Sequence, residues 1–328
     1  MLAPPLAGQE AEFVPEFGQR MLLTIDTEEE FDWNAPFSAT DHGLKHVPAI
    51  ERFQLYCEGL GVSPLYLVDW PIVQDDAAAE LLGDAVKRGK AEVGIQLHPW
   101  VNPPHDEEVN TRNSFAGNLP QALEKSKFKS LRAAIVERFD IEPMVYRAGR
   151  YGLGPDTAEL LIENGIAVDT SVRANYDYSD RHGADYSRHP LKPYWVDSEK
   201  RLLELPVTTV FFGMLRHQGR LISPLTQRIP ALGGVLTRLG MLEKIPLTPE
   251  GVTIEEALRG ADIAIDEGLP VINLSLHSPS LAAGFTPYVR DQAGVERLYE
   301  WIATVHAYLA QHGVRPTNLA EIMRSAVR

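Results

Sequence analysis

A single cysteine, Cys57, stands in 328 residues. No internal disulfide can form, and its neighbours Gln54-Leu55-Tyr56 and Glu58-Gly59 carry no Cys-x-x-Cys spacing, which removes thiolate metal sites. It reads as a half-buried helix thiol, and cysteine poverty at this length fits a reducing compartment. Long hydrophobic runs are missing too. Nothing approaches the roughly 18 consecutive apolar residues of a membrane helix, and the nearest stretch, 207–215, contains two threonines and a glycine. The opening Met1-Leu2-Ala3-Pro4-Pro5 has neither the basic lead nor the apolar stretch of a secretory signal, so the expected location is the cytoplasm. There is no run of four basic residues, and 31 Lys+Arg against 45 Asp+Glu leave a net charge of −14. Such a balance argues against nucleic acid and anionic membranes as partners. Phosphate-cradling glycine loops are absent; Gly152-Leu153-Gly154 is too short for a dinucleotide fingerprint.

What is present is ordinary for a soluble globular chain: 44% hydrophobic and 23% charged residues. Residues 1–19, rich in Pro, Gly and Glu, read as a loose lead-in. Beyond them, short apolar runs alternate with helical periodicity. The runs cover 21–25, 64–68, 91–97, 143–146, 166–169, 202–207 and 270–276. Helical patterns fall at about 48–59, 75–89, 120–139, 157–164, 251–267 and 291–312. That alternation predicts a parallel sheet wrapped by helices, and seven strands would nearly close a barrel. The stretch at about 208–250, with Arg216, His217 and Arg220, reads as an insertion between two barrel strands. The chain from 20 to 328 is therefore read as one domain.

Ionisable groups follow the runs with a regularity that random placement would not give. Asp26 and Glu28, Asp69, His98, Arg147 and Arg150, Asp169 and His277 all sit where a parallel strand ends, the rim at which α/β barrels collect catalytic groups. Asp26 and Glu28 have period-two spacing and should project to one side. Two carboxylates there can hold a divalent cation or divide base and ligand roles. Glu29 and Glu30 read as solvated. His98, locked before Pro99 and Trp100, is a candidate metal ligand, and Gln96 shares its face, placed to bind a substrate hydroxyl or a metal-bound water. Tyr146-Arg147-Ala148-Gly149-Arg150-Tyr151 crowds two guanidinium groups on a turn, where one can pair with a catalytic carboxylate and backbone N–H groups can face an oxyanion. His277 would oppose Asp26 across the mouth as an acid facing a base.

These blocks resemble the NodB-homology polysaccharide deacetylases of carbohydrate esterase family 4, and more closely the WalW-like branch, over about residues 20–320. The resemblance implies a distorted seven-stranded (β/α) barrel that removes N-acetyl groups with a metal-held water. Thr24-Ile25-Asp26-Thr27-Glu28 matches the first block, implying Asp26 as base and Glu28 as the metal-binding carboxylate. The arginine block implies that Arg147 or Arg150 holds Asp26 and that the Tyr151 backbone N–H serves the oxyanion. Leu274-Ser275-Leu276-His277 implies His277 as general acid, with Asp169 tuning it. The family's His-x-x-x-His pair falls on Gln96 and Trp100. A divalent metal, zinc foremost, would then rest on Asp26, Glu28 and His98. Asp69, Gln96 and Trp100 would touch a carbohydrate substrate.

Three readings follow. The first is a cytoplasmic N-deacetylase of a sugar precursor or glycan in bacterial surface-polysaccharide synthesis. The second is a carbohydrate-binding protein that lost the metal, with Trp33, Trp70, Trp100 and Trp195 as stacking faces. The third is a glycosidase pairing Asp26 or Glu28 with Asp69. Allantoinase-like relatives extend the first to cyclic amides.

Overall fold

A computed structural model describes residues 1–228 and 230–328 of the chain. Eleven strands are described: β1 (Arg20–Thr27), β2 (Leu65–Val68), β3 (Glu92–Leu97), β4 (Val145–Ala148), β5 (Val168–Asp169), β6 (Tyr194–Trp195), β7 (Leu203–Glu204), β8 (Thr209–Phe212), β9 (Glu243–Pro246), β10 (Val271–His277) and β11 (Arg315–Pro316). The helices are α1 (Val47–Gly59), α2 (Trp70–Gln74), α3 (Asp76–Lys87), α4 (Gln121–Phe139), α5 (Thr157–Glu163), α6 (Gly219–Arg228), α7 (Pro230–Arg238), α8 (Ile254–Asp266), α9 (Gln292–Gln311) and α10 (Leu319–Ser325). Each expected run became a parallel strand, in the spatial order β10-β1-β2-β3-β4-β5-β7, with β6 antiparallel at the far edge. Among the described residues no helix is long and apolar enough to cross a membrane.

The alternation of side chains along these strands builds two cores. Leu23, Ile25, Tyr66, Val68, Ile95, Tyr146, Ile272 and Leu274 face the surrounding helices. Their neighbours Leu22, Leu65, Leu67, Val145, Val168, Leu203 and Val271 fill the inside of the curled sheet. Both faces are covered, which is why the strands read as unbroken apolar runs. Space inside is tight. A Cβ on Gly94 would come within 2.2 Å of Val145 Cγ1, so only glycine fits where β3 crosses the interior.

Residues 1–19 are not loose. Ala11 and Phe17 join the interior core with Leu319 and Ile322 of α10, and the Ala11 and Val14 N–H groups donate to Pro193 O and Ser325 O (both 2.9 Å). Chain ends thus close the floor of the barrel.

Strand pairing leaves a gap between β7 and β10, and the 208–250 stretch spans it. Thr208 N–H donates to Asn273 O (3.3 Å), Leu247 N–H to Thr208 O (3.0 Å) and Ser275 N–H to Leu247 O (3.2 Å). Thr208 Oγ1 also accepts from Asn273 N–H (2.9 Å). Between these two sealing points the chain makes the antiparallel β8–β9 hairpin and the helices α6 and α7. Cys57 lies fully buried on α1 rather than half-buried, and burial pushes its thiol upward; it is a core side chain.

Candidate functional site

Inward-facing positions turn from apolar to polar on climbing the barrel. Along β1 the order is Leu22, Thr24, Asp26, Glu28. Above the apolar floor lies a layer joined by hydrogen bonds: Thr24 Oγ1 donates to Leu274 O (3.0 Å), and Asn273 Nδ2 donates to Thr170 Oγ1 (3.1 Å). Arg147, fully buried on β4, reaches through this layer. Its Nε donates to Thr170 O (2.9 Å), and its Nη2 to Thr24 Oγ1 and Thr170 Oγ1 (3.1 Å each). Its Nη1 donates to Asp26 Oδ1. All five donors of a guanidinium are rigidly placed, so this fork fixes the Asp26 carboxylate with its other oxygen free to face upward.

That second oxygen, Oδ2, lies 3.8 Å from His277 Nε2. The two residues are not opposed across the mouth, as expected from sequence, but adjacent. The first and last barrel strands pair directly, and Asp26 and His277 are register partners. His277 Nδ1 contacts Glu250 Oε2 (2.7 Å), and its N–H donates to Glu250 Oε1 (3.2 Å). Ser280 Oγ–H also donates to Glu250 Oε1 (2.5 Å). Burial works against protonation of His277, but Glu250, with Glu28 and Asp26 behind it, overcomes this and raises the imidazole from 6.5 to about 10. The same shift stabilises the fold fully below pH 6.5, and that contribution fades as pH rises through about 10.

Glu250 is the functional candidate that sequence reading missed. Asp169, expected to tune His277, does not contact it. Val168 points inward, so its neighbour Asp169 points out. There it accepts from Ser171 Oγ–H (2.7 Å) and N–H (2.9 Å), and Ser171 Oγ in turn accepts from Ala148 N–H (2.8 Å). Burial lifts the carboxyls of both Asp169 and its register partner Glu204.

Glu28 and His98 line the same cavity as Asp26 and His277, a space of about 310 Å³. His98 Nε2 lies 3.4 Å from Glu28 Oε2, and Gln96 Nε2 donates to that oxygen (3.3 Å). Burial pushes Glu28 up to about 8, His277 and His98 opposing it only in part. On the other side of the ring, Nδ1 lies 2.9 Å from Glu29 Oε2, while Trp100 Nε1–H donates to Glu29 Oε1 (2.7 Å). Glu29 and Glu30 are buried, not solvated. Glu30 Oε1 lies 2.9 Å from His46 Nδ1, and His46 Nε2 lies 2.8 Å from Ser278 Oγ.

Asp69 is also fully buried and does not line the cavity, which removes it as a substrate contact and as a glycosidase partner. It caps α2, accepting from Ile72 N–H (3.0 Å), and accepts from Glu29 N–H (2.9 Å). Its carboxyl is held well above the usual range, by burial first and the neighbouring Glu29 second.

Carboxylates therefore flank both nitrogens of His98. Donor atoms of Glu29, Asp69 and His98 lie within 4.8 Å of one another, but their oxygens already accept hydrogen bonds. This set orients the imidazole, as carboxylates do behind metal-bound histidines. Asp26, Glu28 and the other nitrogen of His98 line the cavity instead, with His98 Nε2 3.4 Å from Glu28 Oε2. Gln96 Oε1 beside them is a buried acceptor with no partner among the described residues.

Arg150 departs from expectation. It does not reach Asp26; it donates to Ser114 Oγ and lies over the Phe115 ring, 4.1 Å from the centroid. Arg150 (φ 56°) and Tyr151 (φ 60°) are consecutive left-handed residues that swing the chain around the cavity. Tyr151 lines it. The turn packs so closely on β3 that a Cβ on Gly149 would stand 2.4 Å from His98 Cδ2 and 2.6 Å from Leu97 O. Gly149→Ala should therefore lower stability by about 1–3 kcal/mol, read as a lower urea midpoint at unchanged m-value.

Aromatic side chains wall the space. Trp100 stacks on His98 (4.3 Å, 24°), and Trp33 meets His277 edge-on (5.0 Å, 80°). Both line the cavity, whereas Trp70 and Trp195 do not; Trp195 is buried in the interior core.

No protein-family profile and no curated protein matches the sequence. Solved structures do. A putative polysaccharide deacetylase from Mycobacterium smegmatis superposes with a TM-score of 0.50 at 16% identity, over 97% of this chain and 98% of that one. The 4-alpha-glucanotransferase from Thermococcus litoralis gives 0.53 at 11% identity, over 94% of this chain and 40% of its own. At such identities the likeness is one of fold. The chain has the curled (β/α) barrel of the NodB-like polysaccharide deacetylases.

Proposed function

We propose that the protein is a metal-assisted hydrolase that removes the acetyl group from an N-acetylated sugar, a precursor or glycan of bacterial surface-polysaccharide synthesis, in the cytoplasm. Residues 20–328 act as one catalytic unit. The observation that carries the reading is the chain Arg147–Asp26–His277–Glu250, opening on the cavity that Glu28 and His98 also line. Asp26, Glu28 and His98 would hold the divalent cation, zinc foremost, with Gln96 Oε1 beside them. When bound, the cation supplies Lewis acidity toward the acetyl carbonyl and acidifies water.

The rest is the work of side chains. Arg147 keeps the Asp26 carboxylate aimed, so that Asp26 Oδ2 takes a proton from the hydrolytic water. The Tyr151 N–H donates to the oxyanion that forms as the carbonyl carbon becomes tetrahedral. As the C–N bond breaks, His277 Nε2 gives its proton to the leaving amine, while Glu250 at Nδ1 keeps the ring charged beforehand. Trp33 and Trp100 exclude water and offer apolar faces to a sugar ring. A purely binding role leaves this acid–base chain without a task.

Wild-type protein should release acetate from N-acetylated hexosamines, lose the activity to a chelator and regain it with zinc or cobalt. Failure to release acetate from any N-acetylated mono- or oligosaccharide, with either metal present, would contradict the proposal.

A further inference from the structure

Arg150, Arg173 and Arg181 all line the cavity. Arg147, in the same barrel, is paired with Asp26, but none of these three forms an ion pair among the described residues. In a chain of net charge −14, three unpaired guanidinium groups around one small space are an unusual concentration of positive charge. Like charges press on each other there: burial and then Arg181 lower Arg150 to about 10, and burial and then Arg173 lower Lys244 to about 8.

Arg150 and Arg173 are held rather than waving in solvent. Arg150 lies over Phe115 and donates to Ser114 Oγ. Arg173 lies over Tyr176 (4.1 Å) and Tyr151 (5.5 Å), and its Nη1 donates to Tyr178 Oη (3.3 Å). Tyr178 stacks on both tyrosines, at 5.9 Å from Tyr151 and 5.8 Å from Tyr176. Arg173 Nε is buried without a partner among the described residues. Guanidinium groups fixed in this way at a cavity wall suit an oxyanion that can take their remaining donors.

We propose that these arginines bind a phosphate ester on the substrate, so that the sugar amide reaching Asp26 and His277 is a sugar phosphate or diphosphate rather than a neutral glycan. This rests on the amide-hydrolase reading of the site. A phosphate suits the cluster better than a carboxylate because its charge approaches two units and its three acceptor oxygens can serve more than one guanidinium at once.

Binding is measured by calorimetry on the intact protein, with N-acetylglucosamine 1-phosphate, N-acetylglucosamine and an N-acetylated uronic acid as probes. The phosphate ester should bind about tenfold or more tighter than the neutral sugar, as a charge-assisted contact implies. The advantage should shrink between about 50 and about 200 mM salt. It should fall about tenfold in Arg150→Gln and in Arg181→Ala, whose side chain is exposed and whose loss leaves packing intact. Equal binding of the neutral sugar or of the uronic acid would overturn the inference, as would an undiminished preference in both variants. The preference without acetate release would instead sink the hydrolase reading and leave the subsite standing.

Discussion

Replacing Arg147 with methionine is expected to lower stability by about 3–5 kcal/mol and turnover by about 10²–10⁴-fold. Methionine fills much of the same volume but leaves the buried Asp26 carboxylate without its cation and strips donors from Thr24 Oγ1, Thr170 Oγ1 and Thr170 O. Asp26 would then lose the contact that aims it as the base. Arg147→Lys should recover part of the stability but little of the rate, because a single ammonium cannot reproduce the fork that aims the carboxylate. Urea unfolding and steady-state kinetics on the pair of variants check both effects. A methionine variant as stable as wild type would mean that the pair is not a buried unit.

The second large effect concerns pH. With Glu250 in place, His277 stays protonated up to about 10, so the alkaline limb of the activity profile should fall near that value. In Glu250→Gln the principal charge that raises the imidazole is gone, while burial still lowers it and only Glu28 and Asp26 still raise it. The alkaline limb should then move to lower pH. On the alkaline side the variant should lose activity that wild type keeps, and recover part of it on acidification. NMR titration of the His277 ring gives the same answer without substrate. An unchanged limb would assign the leaving-group proton to another residue.

The barrel was legible in the sequence because a parallel strand covered on both faces must be an apolar run, and each of the seven runs is one. Period two also put Asp26 and Glu28 on one face, beside Gln96 and His98. The errors have physical causes as well. Counting on from Val168 would have turned Asp169 away from the cavity. Glu29 follows the alternation to the side opposite Asp26, and Glu30 lies past the end of the strand, but this rim is packed rather than wet, so both are buried against hydrogen-bonding partners. Glu250 had no strand leading into it. It sits between the hairpin's return and Thr253, the cap of α8, where an acid reads as a helix-end charge. Only the closure of the barrel by residues 208 and 247 brings it beneath His277.

The central claim is that Asp26 and His277 act on one amide as base and acid. Single-turnover acetate release from an N-acetylated sugar, with saturating zinc or cobalt, tests it most directly in Asp26→Asn and His277→Ala. The account predicts that each variant binds the sugar but is slower by about 10²–10⁴-fold, and that the double variant is little worse than either single one, because the two residues serve the same bond. Wild-type rates in either single variant would contradict it.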